Sequence, residues 1–105
     1  MAETRTSSRR IRPSLADTEA VFDALAHEAR RHIVALLAHH GPELPSGYLA
    51  SRLNHSWPTT TRHLRVLETA GLVIGEKQGR ERVYRVNQEK LRSIDEWMGW
   101  FDKKP

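Results

Sequence analysis

Residues 46–86 contain, in order, a short helical segment, a tight turn, a longer helical segment and two β-rich runs around a glycine turn. Ser56 is a favourable N-cap for the longer helix, and Pro58 falls in its first turn, where a missing amide hydrogen costs little. Gly71 ends that helix, because glycine favours the position that follows a helix C-terminus. The runs at 72–74 and 83–86, on either side of a polar tip, predict a β-hairpin.

Helical periodicity continues on both sides of this segment. Apolar residues recur at spacings of three and four from Ser14 to about residue 26, over about 28–39, and over about 88–102. We predict that Ser46 caps the short third helix. The element order α-α-α-α-β-β-α predicts a mainly α domain with a small β-hairpin, a winged helix-turn-helix, over residues 15–105. Residues 1–14 are rich in Ser, Thr and Arg, and we predict that they form a disordered basic arm.

Length and composition exclude several classes of protein. A chain of 105 residues suits one domain. It has no cysteine, which excludes a disulfide scaffold, a thiolate nucleophile and a Cys-ligated zinc site. No apolar run approaches the roughly 20 residues that span a bilayer, and the N-terminus lacks the apolar region of a secretory signal. We therefore expect a cytoplasmic protein with no membrane partner.

Positive charge is concentrated in two parts of the chain. Residues 52–85 carry seven Lys and Arg against three Glu, and residues 1–16 carry four Arg against one Glu. Clustered arginine favours a polyanionic partner, most simply nucleic acid. A merely solvated basic surface is the alternative, and the same two interpretations apply to the N-terminal arm.

The outward face of the longer helix suits double-stranded DNA. If Thr60, Leu64 and Leu67 face the core, the side chains that point outward are Trp57, Pro58, Thr61, Arg62 and Arg65. We expect Arg62 to contact guanine and Thr61 to contact a base, because these side chains match base edges in the major groove. Thr59 and Arg65 suit phosphate. Trp57 either contacts the groove or covers the turn as a hydrophobic lid.

Three ordered motifs resemble the ArsR/SmtB family of bacterial repressors. Residues 22–33 (FDALAHEARRHI) resemble its opening F-x-A-L-A-x-P-x-R-x-x-I-L, with Glu28 in place of the usual proline. Residues 56–73 resemble S-x-x-T-V-S-R-H-L-x-x-L-x-x-A-G-L-V, with Thr60 and Thr61 replacing Val and Ser. Residues 79–86 (GRERVYRV) resemble the wing motif G-R-x-x-x-Y-x-L.

The resemblance implies a homodimeric repressor that binds an inverted-repeat operator. Ser56 to Arg65 would enter the major groove, and Arg80 and Arg82 of the wing would touch the backbone or the minor groove. The first and last helices would form the dimer interface. The apolar load of the last helix agrees, although intramolecular packing alone is an alternative. The predicted interface residues are Val21, Phe22, Leu25, Leu91, Ile94, Trp97, Met98, Trp100 and Phe101.

We predict no metal site and no cofactor. The third helix has no Cys or His and the last helix has no His, whereas metal sensors of this family carry ligands there. The last helix resembles the non-metal, autorepressor-like branch. A small-molecule inducer, a protein antirepressor, and dilution under autoregulation then remain open as routes of release.

Two other functions compete with DNA binding. A protein-interaction module on the same fold is disfavoured by the single-sign charge of the arginines. An enzyme is disfavoured because the sequence has no nucleophile–base arrangement, phosphate-binding glycine loop or recognisable carboxylate pair.

Overall fold

The computed structural model describes residues 15–102, so the predicted N-terminal arm lies outside the described residues. Within these residues, five helices and three short strands follow one another. They are α1 (Leu15–Leu25), α2 (Glu28–His39), β1 (Leu44–Pro45), α3 (Ser46–Arg52), α4 (Trp57–Thr69), β2 (Val73–Gln78), β3 (Glu81–Val86) and α5 (Gln88–Gly99). The predicted winged helix-turn-helix order is confirmed. Within this range no helix is long and apolar enough to cross a membrane.

The sheet has one more strand than the sequence predicts. β2 and β3 form the expected antiparallel hairpin, which is paired out to Gln78 and Glu81. β1 adds to the other edge of β3 and gives the order β1-β3-β2, with Leu44 opposite Tyr84. We predicted only a helix break at residues 41–45, because a two-residue strand has no detectable alternation. Its partner lies about 40 residues away in the sequence.

The core is formed by side chains from α1 to α4 together with the base of the hairpin. The inward stripe predicted for α4 is confirmed, since Thr60, Leu64 and Leu67 are all buried. His63 is buried beside them, whereas Val66 is exposed. The largest fully buried apolar side chains are Val21, Ile33, Leu49, Leu64, Leu67, Leu72 and Val73.

Three local predictions need correction. Val21 is 0% exposed within its own chain, so it belongs to the intramolecular core and has no free surface to give to a dimer interface. Ser46 is the first residue of α3, and the N-cap position is Pro45, which offers no side-chain hydrogen bond. α5 ends at Gly99, three residues earlier than predicted, and a turn follows it.

Candidate nucleic-acid interface

The start of α4 is held by hydroxyl groups. Ser56 is the N-cap, and its Oγ accepts a hydrogen bond from the Thr59 amide at 3.3 Å. The Thr60 hydroxyl donates to the Ser56 carbonyl at 3.0 Å, and Pro58 lies in the first turn. The Ser56 hydroxyl and carbonyl thus accept from the Thr59 and Thr60 amides and fix the first turn. The capping predicted for Ser56 is confirmed.

The end of α4 is a Schellman motif. Gly71 adopts φ +83°, its amide donates to the Glu68 carbonyl at 3.0 Å, and the Leu72 amide donates to the Leu67 carbonyl at 2.9 Å. This pair of bonds satisfies the last carbonyls of the helix and turns the chain sharply. Leu67 and Leu72 are both fully buried. The motif therefore anchors α4 and leads directly into the hairpin.

The outward face of α4 presents the residues that the sequence predicts. Ser56, Pro58, Arg62 and Arg65 are exposed. Thr59 and Thr61 are half-buried. Within residues 15–102, neither Arg62 nor Arg65 makes a hydrogen bond or an ion pair to another side chain. Both residues line an open groove of about 410 Å³ between α4 and α1. Both arginine side chains are therefore available to bind an anion such as a phosphate.

Trp57 combines the two roles that the sequence left open. A Cβ on Gly47 would lie 3.4 Å from the indole ring, so the ring rests against the start of α3. The side chain nevertheless stays 56% exposed. Trp57 covers the turn between α3 and α4 with one part of its ring and presents the remainder to the outside.

The two arginines of the wing differ in their surroundings. Arg80 lies exposed at the tip, next to Gly79 with φ +64°. Arg82 Nη2 lies 2.7 Å from Glu68 Oε2 on α4 and 3.4 Å from the Gly75 carbonyl oxygen. The hydrogen bond and charge of Glu68 raise the pKa of Arg82 above its usual value. Sequence reasoning missed Glu68, because only the fold brings it to the wing.

Gly75 makes room for this ion pair. It lies opposite Tyr84 in the hairpin register. A Cβ at Gly75 would lie 2.8 Å from both Glu68 Oε2 and Tyr84 Cε1. Burial, followed by the Glu68 charge, raises the pKa of the Tyr84 hydroxyl above its usual value.

Comparisons with known proteins agree with this geometry. A family model described as a helix-turn-helix domain matches residues 25–76. An HTH-type transcriptional regulator of Mycobacterium tuberculosis is 44% identical over 70% of this chain and 66% of its own length. The transcriptional repressor SdpR of Bacillus subtilis is 31% identical over 74% of this chain and 84% of its own. A solved ArsR-like transcriptional regulator from Rhodococcus is 32% identical over 83% of this chain and 84% of its own, with a TM-score of 0.68. The chain belongs to the ArsR/SmtB family of transcriptional regulators. It is a DNA-binding regulator and not an enzyme.

A solved structure supports the fold of this ArsR/SmtB regulator. It is the solution structure of a homodimeric winged helix-turn-helix DNA-binding domain from Mycobacterium bovis, described as a possible ArsR-family regulator. The two chains are 26% identical, with a TM-score of 0.68, and the match covers 84% of this chain and 81% of that one. The element order on which the site rests is therefore that of the family.

Behind α4, this ArsR/SmtB regulator has a histidine cluster that sequence reasoning did not group. The His63 ring lies 4.5 Å from the His27 ring and 5.8 Å from the His55 ring, measured between centroids. Arg30 Nη1 lies 3.4 Å from His63 Nδ1, and Arg30 Nε donates to the Ala24 carbonyl at 2.6 Å. A guanidinium has no acceptor, so this contact requires an unprotonated Nδ1. Burial, followed by the charges of His27 and Arg30, lowers the pKa of His63.

Within residues 15–102, no group of three or more His, Cys, Asp or Glu side chains is arranged to hold a metal ion. A guanidinium against His63 also opposes a bound cation. Of the six histidines, His63 is buried, and its ring packs on those of His27 and His55, whereas the other five are exposed.

The predicted dimer residues other than Val21 lie on or near one apolar face. Phe22 packs edge to face on Trp97 at 5.1 Å, and Trp97 packs on Phe101 at 4.9 Å. Leu25, Leu91 and Ile94 are partly buried against the core. The exposed large apolar side chains on α1, on α5 and just after α5 are Leu15, Met98, Trp100 and Phe101.

Proposed function

We propose that this ArsR/SmtB regulator is a homodimeric repressor that binds an inverted-repeat operator. α4 lies in the major groove, and the wing, residues 75–82, lies on the backbone or the minor groove. The observation that carries the proposal is the outward face of α4, where Arg62 and Arg65 have no partner among the described side chains. A helix with unpaired arginines on its exposed face suits base edges and phosphates.

The apolar face on α1 and α5 supports a dimer. Phe101 is 72% exposed although its ring packs on Trp97, and Met98 on α5 is 56% exposed. Several large apolar side chains exposed on the same elements favour an interaction surface. A two-fold dimer would place two copies of α4 on half-sites about 10 base pairs apart, or a multiple of that. The M. bovis domain described above is homodimeric, which supports the same assembly here.

Selection from a random duplex library by the unaltered protein tests the proposal. We expect one inverted-repeat sequence to be enriched. Arg62→Ala should weaken binding to that duplex by about 1–3 kcal/mol and relax the preference at one base position. Fluorescence anisotropy against the selected duplex measures the change.

Arg92→Ala is the matched control, because Arg92 is exposed on α5 and carries the same charge. Its affinity should change less and its base preference should not change. A folded Arg62→Ala variant that binds as the unaltered protein does would refute the placement of α4 in the groove.

Three finer predictions remain part of the proposal. The first is a cytoplasmic, nucleoid-associated location. The second is release by a small molecule or a protein inducer. The third is membership of the non-metal branch, which is supported by the absence of Cys from the whole chain. Titration of zinc, nickel and copper into the protein–DNA complex tests that branch, and we expect no release at micromolar metal.

A further inference from the structure

A small cleft lies between α4 and the wing, and the proposed function does not explain it. This helix–wing cleft has a volume of about 270 Å³ and is lined by Thr61, Arg65, Glu68, Arg82 and Tyr84. It lies between α4, from Thr61 to Glu68, and the hairpin. Four of these five side chains can donate a hydrogen bond, and Glu68 alone carries negative charge. An acid in a DNA-facing cleft repels phosphate, so its presence needs a reason.

The reason lies in the contact between Glu68 and Arg82. At 2.7 Å, Arg82 Nη2 and Glu68 Oε2 form a charge-assisted hydrogen bond. Nη2 also lies 3.4 Å from the Gly75 carbonyl oxygen, and the guanidinium carbon lies 5.9 Å from the centroid of the Tyr84 ring. Groups on α4, β2 and β3 therefore all contact this one guanidinium. A guanidinium has five N–H donors, so donors remain for a further partner.

The backbone is adapted to this arrangement. Any side chain at Gly75 would meet Glu68 Oε2 at 2.8 Å, and Arg82 Nε would lie 3.0 Å from the same Cβ. Glycine at this strand position leaves the gap through which the carboxylate of α4 reaches the wing. The ion pair joins residues 14 positions apart in the sequence, on two different elements.

We propose that Glu68 is a positioning residue for DNA recognition. Its carboxylate, reaching through the gap at Gly75, holds the Arg82 guanidinium in one orientation at the helix–wing cleft. A backbone phosphate can then pair with Arg82 in only one register relative to α4. Phosphate contacts carry no base information, but they set the register and orientation of a protein on the duplex. This inference rests on the proposed placement of α4 and the wing on DNA.

The test measures the affinity of each member of a double-mutant cycle for two duplexes. The probes are the sequence selected from a random library by the unaltered protein and a scrambled duplex of the same length. The variants are Glu68→Ala, Glu68→Gln, Arg82→Ala and the double variant Glu68→Ala/Arg82→Ala. The readouts are the ratio of the two affinities and the slope of log affinity against log salt. Thermal unfolding confirms that each variant is folded.

We expect Glu68→Ala to lower the selected-to-scrambled ratio by about twofold to fivefold, the effect of losing one partly exposed ion pair. Its salt slope should stay unchanged, because Arg82 still reaches phosphate. Glu68→Gln keeps a hydrogen-bond acceptor and should retain most of the ratio. Arg82→Ala should reduce the salt slope by about one. In the Arg82→Ala background, Glu68→Ala should have no further effect on the ratio.

Glu89→Ala is the control for charge, since Glu89 is exposed on α5, outside the wing, and its substitution removes the same negative charge. It should raise both affinities together and leave the ratio unchanged. If Glu68→Ala behaves in that same way, Glu68 acts only through its charge and the proposal is wrong. An effect of Glu68→Ala that persists without Arg82 also overturns it. A selection that enriches no sequence contradicts the proposed function first, and this inference with it.

Discussion

At the scale of single residues, His63 shows how the fold sets the chemistry of a common side chain. The sequence predicts only a helix-packing histidine. The structure places its ring against His27 and His55 and directs Arg30 at its Nδ1. Burial and four neighbouring basic groups, His27, Arg30, His55 and Arg62, disfavour the imidazolium. The Arg30–His63 hydrogen bond between α2 and α4 therefore depends on a neutral His63.

Acid should destabilise the protein in part through this group. The pKa of His63 is lower in the folded chain than its usual value of 6.5, so the unfolded chain binds more protons in this range. The stability contributed by neutral His63 is present above about pH 6.5 and is lost as the pH falls through its folded value. His63→Gln should therefore lose less unfolding free energy than the unaltered protein between pH 7.5 and pH 5.5, as measured by urea denaturation.

His32→Gln serves as the control, because His32 is exposed on α2. It should leave the pH dependence as it is in the unaltered protein. Equal losses in His63→Gln and the unaltered protein would show that other groups account for the acid sensitivity.

At the scale of elements, α4 is defined at both ends by bonds that are local in sequence. Ser56 satisfies an amide at one end, and the Schellman motif at Gly71 satisfies carbonyls at the other. Such bonds involve neighbours within five residues, which is why the sequence predicts both ends of this helix. The predicted end of α5 was too late, because apolar periodicity continues through Phe101 whereas the helix stops at Gly99.

Gly71→Ala should destabilise the domain by about 1–2 kcal/mol, because its left-handed φ of +83° strains any side chain with a Cβ. The new methyl would also meet Lys90 Cε at 2.7 Å, although that flexible side chain can move. Thermal and urea unfolding measure the loss. Gly99→Ala is the matched control, since no atom lies within 4 Å of its added Cβ, and it should be close to neutral. Similar losses in the two variants would exclude backbone strain as the cause.

At the scale of the whole molecule, the exposed aromatic face is the main feature that a single chain leaves unsatisfied. The Trp97 ring packs on Phe22 within the chain, whereas the side chains of Phe101 and Met98 remain mostly exposed. Substituting Trp97 would therefore disturb the fold and the proposed dimer together. Phe101 is the better site for a test of assembly.

Phe101→Glu should convert the proposed dimer to a monomer and weaken binding to the selected duplex, because a charge cannot be buried at an apolar interface without a partner. Sedimentation at micromolar concentration measures the assembly. Ala35→Glu adds the same charge at an exposed position of α2 and should remain dimeric. Sedimentation of the unaltered protein as a monomer would refute the dimer itself.

The sequence by itself determined the features that depend on near neighbours. Periodicity placed the helices, Ser56, Pro58 and Gly71 marked the ends of α4, and the outward face of α4 followed from its buried stripe. These features arise from bonds and side-chain spacing within one or two helical turns. Short-range rules of this kind operate on the chain before any tertiary contact forms.

Only the tertiary structure decided the contacts between distant parts of the chain. The pairing of Glu68 with Arg82, the grouping of His27 with His63, and the addition of β1 to β3 join residues 14, 36 and about 40 positions apart. Val21 and Leu25 are spaced four residues apart on the same apolar stripe of α1, yet packing buries Val21 fully and Leu25 only in part. No local preference encodes such contacts, because they depend on the angles at which helices and sheet pack together.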